Sequence, residues 1–554
     1  MLTFKKIRDE ILKEISLFSG YEEKLLNNLL LSDCNDKKSE FVIWFTKLSN
    51  ENIAEKIADK IKLSKHYLIK DVQASNNRLS IYIDKRKLLS KIIKTIEEEN
   101  DQYGTNTNGS NKKIVVEYSS PNIAKKFHVG HFRNTILGNF IVKLCQANGY
   151  KTVSINYLGD WGKQFGLILT GLDLFGDKEK LKKDPLNHLF EVYVKTNNEM
   201  TKEIEARAHE INKAMEEGIN EEYLRRWKEL RDLSIDKLKK LYKMLNIEFD
   251  VYSGESFYVK SGKEVIDKID FYQQDEDGSR FIDCDCLGRV VVQRKDGTSI
   301  YISRDIASDI DRFKKYDPHL IIHCVASEQD LHFKQLFWII NRMGYDVSKL
   351  RHVNYGLVTG MSTRAGNVHF IEDVISRSKE CMLQYQMNDD VDNKEETASI
   401  LALSFLIIED FSAKRLKGYT FDIEKRAKTK KGESLGPNIQ YTHCRLASIE
   451  RQNSNIDLTD VDYSLIEDDS VCNLAYKLLW YQNIIEISFN DFEPCKIVSY
   501  LQDICKSVNN LIPTLRVKDA ELNIAKARLM ILKSTRIVIG NALKLLGLTP
   551  LNKM

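Results

Sequence analysis

At positions 128–131 the chain reads His-Val-Gly-His. Two histidines three residues apart share one face of a helix if a helix begins there. The first turn of a helix leaves backbone N–H groups unpaired at the positive end of its dipole. Such a corner suits a phosphate group. Gly130 removes a side chain where a flat ligand such as adenine would have to approach the backbone, and Lys125 adds a cation nearby in sequence. These residue types fit the binding of a phosphate-bearing ligand. A histidine pair can equally be a helix cap with core packing, so the reading needs a strand before it and a helix after it.

Both are legible. Residues 114–118 (IVVEY) read as a buried strand, and apolar residues at 129, 132, 136, 140 and 144 follow a helical period. A second strand at 151–156 (KTVSIN) runs into YLGDWGKQFG (157–166), so two strands bracket a helix as in a parallel βαβ unit. Residues 185–250 are charged, helical in period and inserted, since strand signals return only afterwards. Residues 290–294 (VVVQR), an Asp296-Gly297 turn and residues 299–303 (SIYIS) predict a hairpin, and 319–325 (HLIIHCV) predicts another buried strand. From about residue 400 onward only helix patterns are expected. Before residue 100 there are helix patterns, one alternating run at 78–83 and a helix with Leu88, Leu89, Ile92, Ile93 and Ile96 on one stripe. The small polar segment TNTNGSNKK (105–113) marks the best domain boundary. The architecture read from these signals is an interrupted α/β core between two appended domains.

Composition sets the outer limits. The 554 residues are 42% hydrophobic and 29% charged, with 83 Lys and Arg against 80 Asp and Glu. That is globular and excludes disordered and collagen-like classes, and no apolar run approaches a membrane span. Only 7 Pro and 26 Gly favour long helices. The 10 Cys are scattered without zinc spacing, which predicts reduced thiols in a cytosolic or nuclear protein. A first helix carrying Phe4, Ile7, Ile11 and Ile15 is amphipathic, and Asp9, Glu10 and Glu14 argue against a transit peptide, so this helix is expected to face the core. Net charge is small, but Lys414, Arg415, Lys417, Lys425, Arg426, Lys428, Lys430 and Lys431 cluster against only Asp422 and Glu424. Charge runs are usually solvated surface. Tyr419 and GPNIQYTHCRL (436–446) shift this one toward a nucleic-acid face, since cations hold phosphates and aromatics stack on bases.

Taken in order, SSPNIAKKFHVGHFRNTILGN, NYLGDWGKQFG, DVYSGES (250–256), YISRD (301–305), ASEQDLH (326–332), GMSTRAG (360–366) and the terminal LLGLTP resemble the signatures of class I aminoacyl-tRNA synthetases, and among them the arginyl enzymes of eukaryotic cytosolic type. The resemblance implies a Rossmann-like parallel-sheet core with a helical insertion (112–400), an α+β N-terminal domain (1–104) and an all-α anticodon-binding domain (401–554). It implies that arginine attacks the α-phosphorus of ATP to give an adenylate, and that the arginyl group then moves to the 2′-hydroxyl of the terminal adenosine of tRNA(Arg). The expected partners are therefore L-arginine, ATP with Mg2+, and tRNA(Arg), and the chain is expected to be a cytoplasmic monomer.

The resemblance also distributes roles. His128, His131, Lys125 and Arg364 are expected to stabilise the transition state, and His128, Gly130, His131, Met361 and Ser362 to hold ATP. A guanidinium is planar, always charged and offers only donors, so a carboxylate in a closed pocket is its natural partner. The resemblance places Asp305 and Tyr301 there, with Gln329, Ser120, Pro121, Asn122 and His131 beside them. Tyr301 has a strand-core alternative and Asp305 a helix-cap alternative. Glu255 and Glu117 are further candidates, to receive the α-ammonium of the substrate or to pair with a neighbouring lysine, and Asp160, Trp161 and Gln164 are expected in the pocket wall. Lys425, Arg426, Lys428, Lys430, Lys431 and Tyr441 are expected to touch tRNA. The second-signature loop has no lysine, Ala365 departs from the family form, and Lys125 is implied to substitute for the missing ammonium. No protein ligands for a metal are identified, and no editing site is expected. Two alternatives stand beside an active enzyme: a small-molecule adenylyltransferase, and a catalytically silent relative that binds tRNA or acts as a scaffold.

Overall fold

The computed structural model describes residues 2–34, 39–49, 51–123, 127–359, 371–384, 391–420 and 434–554. The chain forms two compact units, one of residues 106–385 and 409–431 and the other of residues 1–105, 386–408 and 432–554.

The first unit is built on a five-stranded sheet, in the order Leu350–Tyr355, Leu320–Ala326, Lys113–Glu117, Lys151–Leu158, Val251–Gly254, with every pairing parallel. Short runs such as IVV and LIIHCV are apolar on both faces because a parallel sheet is covered on both faces. The helix Val129–Ala147 connects two neighbouring strands and packs closely on the sheet. A Cβ at Gly138 would lie 2.1 Å from Cγ of Tyr118, so only glycine permits that approach. From Lys113–Glu117 the chain builds outward in one direction and later returns to add two strands on the other side. The strand order therefore reverses between Lys113–Glu117 and Leu320–Ala326, and ligands in open parallel sheets bind beyond the carboxyl ends of strands at such a point.

The insertion between Lys151–Leu158 and Val251–Gly254 is helical, comprising Lys163–Phe175, Lys178–Lys183, Pro185–Asn198, Lys202–Glu217 and Glu221–Met244. The expected hairpin at 290–303 is only half formed. Arg289–Gln293 pairs antiparallel with Arg280–Asp283, and Gly297 N donates to Arg294 O at 2.9 Å in the turn, but residues 301 onward form the helix Tyr301–Tyr316. Alternation over five residues mimicked a strand. The longer window carries Ile302, Ile306 and Ile310 on one buried stripe, and Ile300 N donates to the Ser303 hydroxyl as a cap. One short strand also lies beyond residue 400, where none was expected: Tyr419–Thr420 pairs in parallel with Val358–Thr359.

In the second unit a four-stranded antiparallel sheet, in the order Leu31–Ser32, Phe41–Trp44, Arg78–Ile83, Ile69–Ser75, packs with the helix Ala54–Ser64, and Phe4 of the helix Phe4–Ser19 stacks on Phe41; the helix Lys85–Glu99 packs on the helices Asp469–Asp491 and Leu522–Leu545. Phe4, Ile7, Ile11 and Ile15 are buried, as their spacing predicts. The helices Leu435–Gln452, Asp469–Asp491, Cys495–Leu511 and Leu522–Leu545 form the rest. Segments that read as separate N- and C-terminal domains share this unit: the Phe4 ring meets Trp480 edge-on at 4.6 Å, and Tyr103 Oη donates to Leu478 O at 3.1 Å. The boundary expected at residue 401 falls inside the helix Lys394–Phe411, whose residues up to 408 belong to this unit. None of the ten cysteines is joined in a disulfide. Among the described residues no helix is long and apolar enough to cross a membrane.

Candidate active site

Beyond the carboxyl end of Lys113–Glu117 the chain turns through two consecutive left-handed residues, Ser119 (φ 68°) and Ser120 (φ 42°). Non-glycine residues hold such angles at a cost of about 1–3 kcal/mol each, so the surroundings must enforce them. Ser119 N donates to Asn134 Oδ1 at 2.9 Å, and the Ser119 hydroxyl lies 2.7 Å from that of Thr135 and 2.8 Å from Tyr242 Oη. The next residues are stitched to the turn after Lys151–Leu158. Gly159 N donates to Pro121 O at 3.1 Å, and Asn122 Nδ2 donates to Gln164 Oε1 at 2.6 Å. Gln164 thus holds Asn122 in place.

His128 caps the helix Val129–Ala147. Its Nδ1 accepts from Gly130 N at 3.1 Å, while His131 Nδ1 accepts from His128 N at 3.3 Å, a reciprocal cap made of two imidazoles. The rings stack with centroids 3.9 Å apart. A neutral imidazole whose Nδ1 accepts carries its proton on Nε2, so both rings become Nε2–H donors at a helix N-terminus. The cap reading and the phosphate reading are therefore compatible. Gly130 serves the cap directly, since a Cβ there would lie 2.9 Å from Cε1 of His128.

The helix Tyr301–Tyr316 brings a second group together. Tyr301, at its first position, is 60% exposed, which removes its strand-core alternative. Arg304 lies over the Tyr301 ring at 5.2 Å and pairs with Glu255 at 2.8 Å. Burial pushes the Glu255 carboxyl up to about 8 even though Arg304 opposes the shift. Asp305, inside the helix and not its cap, accepts from or donates to His332, with Oδ2 and Nε2 2.8 Å apart. Tyr157 is buried with its hydroxyl unpartnered among the described residues, and its proton is held on by burial and then by the charges of Asp305 and Glu255. Gln329 ends the short turn Ser327–Gln329, just past the strand Leu320–Ala326. Behind this group Asp160 is buried, pairs with Arg231 at 2.7 Å, and accepts from Ser256 N at 2.9 Å and Ser256 Oγ at 2.8 Å. Trp161 meets Trp227 edge-on at 5.0 Å.

Residues 92–423 match the model of the class I (R) tRNA synthetase catalytic domain, and residues 439–554 match the DALR anticodon binding domain. The chain is 44% identical to the arginine–tRNA ligase of Encephalitozoon cuniculi over the full length of both. It belongs to the class I arginyl-tRNA synthetase family. The probable cytoplasmic arginine–tRNA ligase of Dictyostelium discoideum is 36% identical, over 99% of this chain and all of that one. The crystal structure of the arginyl-tRNA synthetase from Plasmodium falciparum has the same fold, with a TM-score of 0.79 over the whole of both chains at 22% identity.

Within this synthetase, Glu117 does not stand where the sequence suggested. It is buried and pairs with Arg312 at 2.6 Å and His323 at 3.3 Å, not with a lysine. Burial would raise its pKa, but Arg312 and then His323 hold it down to about 2. Its charge is spent on tying the helix Tyr301–Tyr316 to two strands. GPNIQYTHCRL is likewise mostly core: Gly436, Pro437, Ile439, Gln440, Thr442, His443 and Leu446 are buried, and only Tyr441 is well exposed. Tyr419 Oη donates to Asp410 at 2.6 Å. Lys125, Met361, Ser362, Arg364, Lys425, Arg426, Lys428, Lys430 and Lys431 lie outside the described residues. Sequence reasoning passed over His332 and Arg304, although both sit inside quoted motifs. Their roles depend on partners distant along the chain.

Proposed function

We propose that this arginine–tRNA ligase runs both steps at one site, beyond the carboxyl ends of Lys113–Glu117 and Leu320–Ala326. Asp305 and Glu255 accept the guanidinium of L-arginine beside the Tyr301 ring, with Ser120, Pro121, Asn122 and Gln329 lining the approach. The observation that carries this reading is the convergence of Glu255, Tyr301 and Asp305, which matches a forked cation. The substrate carboxylate attacks the α-phosphorus of ATP, and pyrophosphate leaves. The Nε2–H donors of His128 and His131, with the cations of Lys125 and Arg364, meet the charge that grows on the phosphate oxygens. In the second step the 2′-hydroxyl of the terminal adenosine attacks the arginyl carbonyl and AMP leaves.

Among the described residues no group of three His, Cys, Asp or Glu side chains is placed to hold a metal. Mg2+ is implied by the triphosphate of ATP, and no protein step is derived through it. The tRNA contacts are assigned to Lys425, Arg426, Lys428, Lys430, Lys431 and Tyr441. Likeness to cytoplasmic arginine–tRNA ligases supports a cytoplasmic protein of eukaryotic cytosolic type, and the chain is proposed to act as a monomer.

ATP–pyrophosphate exchange and aminoacylation, each measured with and without tRNA(Arg), test the reading. Arginine-dependent charging is expected, with exchange that needs tRNA. Exchange without any RNA charging would point to a small-molecule adenylyltransferase, and neither activity would point to a silent relative.

A further inference from the structure

We infer that Arg304 is a specificity-determining positioning residue: it takes one oxygen of Glu255 from inside the fold and leaves the other for the guanidinium of the substrate, with Asp305 as the second acceptor. The inference rests on the arginine pocket proposed above.

Arg304 already makes the contacts that a substrate guanidinium would seek. Its Nη2 donates to Glu255 Oε2 at 2.8 Å, and its cation lies 5.2 Å from the centre of the Tyr301 ring. It is 4% exposed, and Nη1 donates to Ser299 Oγ at 3.1 Å, so it is part of the wall. Once Glu255 is ionised, two carboxylates face one fixed cation and the pocket is short of one positive charge, which is what one guanidinium supplies. A neutral isostere such as citrulline would leave a carboxylate unpaired in a half-closed site, and that is costly.

The surroundings of Glu255 show why the internal cation is needed. The charged groups facing it are Arg304 and Asp305 on the same helix, and Asp160 from the turn after Lys151–Leu158, itself paired with Arg231; Tyr157 and Tyr301 add hydroxyls. Among these, Arg304 is the cation that meets the carboxylate directly. With it, Glu255 titrates at about 8. Without it, burial and two like charges keep the carboxyl protonated to higher pH still. A protonated carboxyl then presents a donor to a ligand group that has only donors.

The test is the arginine KM and kcat of the parent, Arg304→Met, Arg304→Lys, Glu255→Gln and Asp305→Ala between pH 6.5 and 9. For the parent, KM is expected to fall as pH rises through about 8. Arg304→Met is expected to raise KM at pH 7 by about ten-fold or more, the equivalent of one pKa unit or more on Glu255, with kcat little changed and the deficit shrinking toward pH 9. Arg304→Lys keeps a cation and should recover most of the affinity, with its profile displaced to higher pH. A KM for Arg304→Met equal to that of the parent at pH 7, or a deficit independent of pH, overturns the inference. If the Met variant does not fold, an undisplaced profile for Arg304→Lys overturns it instead. Asp305→Ala separates the two levels: a large KM rise there with a silent Arg304→Met leaves the pocket standing and removes Arg304 from it, whereas no change in either removes the pocket.

Discussion

His332 Nε2 stands 2.8 Å from Asp305 Oδ2, although the two residues are 27 positions apart along the chain. The ring fixes the direction of one carboxylate oxygen, and on the function proposed above the other meets the substrate. A hydrogen bond to a charged group is worth about 1.5–3 kcal/mol, so His332→Ala is expected to raise the arginine KM by about ten-fold or more with kcat nearly unchanged. Asp305→Ala should cost more. Steady-state aminoacylation measures both, and an unaltered KM for His332→Ala would remove the ring from the pocket.

His128→Ala removes half of the imidazole cap and, on the function proposed above, a phosphate donor. Loss of one transition-state donor typically lowers kcat by about 10²–10³, and that loss is expected in adenylate formation, with arginine affinity almost preserved. Single-turnover adenylate formation alongside arginine binding separates the effects. Equal losses in both would assign His128 a structural role only.

Glu117, Asp309, Arg312 and His323 form a buried set of alternating charges, at separations of 2.6, 3.1, 3.2 and 3.3 Å. Removing one partner strands a charge, so Glu117→Gln should destabilise the fold by about 3–5 kcal/mol. The pH dependence has a definite sign. Glu117 is lowered from 4.5 to about 2, so its contribution is present above 4.5 and fades as pH falls toward 2. Although burial opposes it, Asp309 and then Glu117 raise His323 from 6.5 to about 9, so its contribution is full below 6.5 and fades as pH rises through 9. The melting temperature should therefore decline between pH 6.5 and 9, and His323→Gln should flatten that decline. An equal slope in the variant would count against the cluster.

The end of the chain is held by the stretch that resembled an RNA face. Leu551 N donates to Gln440 Oε1 at 2.9 Å, Gln440 Nε2 donates to Thr549 O at 2.9 Å, and Leu551 O lies 2.7 Å from His443 Nδ1. Truncation after Leu548 strands these buried groups, at about 1–3 kcal/mol each. A clear fall in thermal stability is expected by calorimetry, and an unchanged melting curve would show the clamp to be dispensable.

Charge reversal of Lys428 and Lys430 together should weaken tRNA binding and flatten its salt dependence. Each phosphate that a lysine no longer neutralises takes about 0.7–0.9 off the slope of log affinity against log salt. Filter binding across a salt series reads it. An intact slope would place both lysines outside the footprint.

What the sequence determined by itself was local. The spacing of His128 and His131 already set their shared face, because a helix defines neighbours three residues apart. The strands around residues 114 and 320 were legible because parallel strands are apolar on both faces. What only the tertiary structure decided was partnership. Glu117 finds Arg312, Asp305 finds His332, and Glu255 finds Arg304 through strand order and helix placement, which no local window contains. The same limit hid the union of the N- and C-terminal segments in one unit. It also misread 299–303, where five alternating residues looked like a strand until a buried stripe of isoleucines made them a helix start. Secondary structure follows from neighbours along the chain, whereas a charged site follows from neighbours in space.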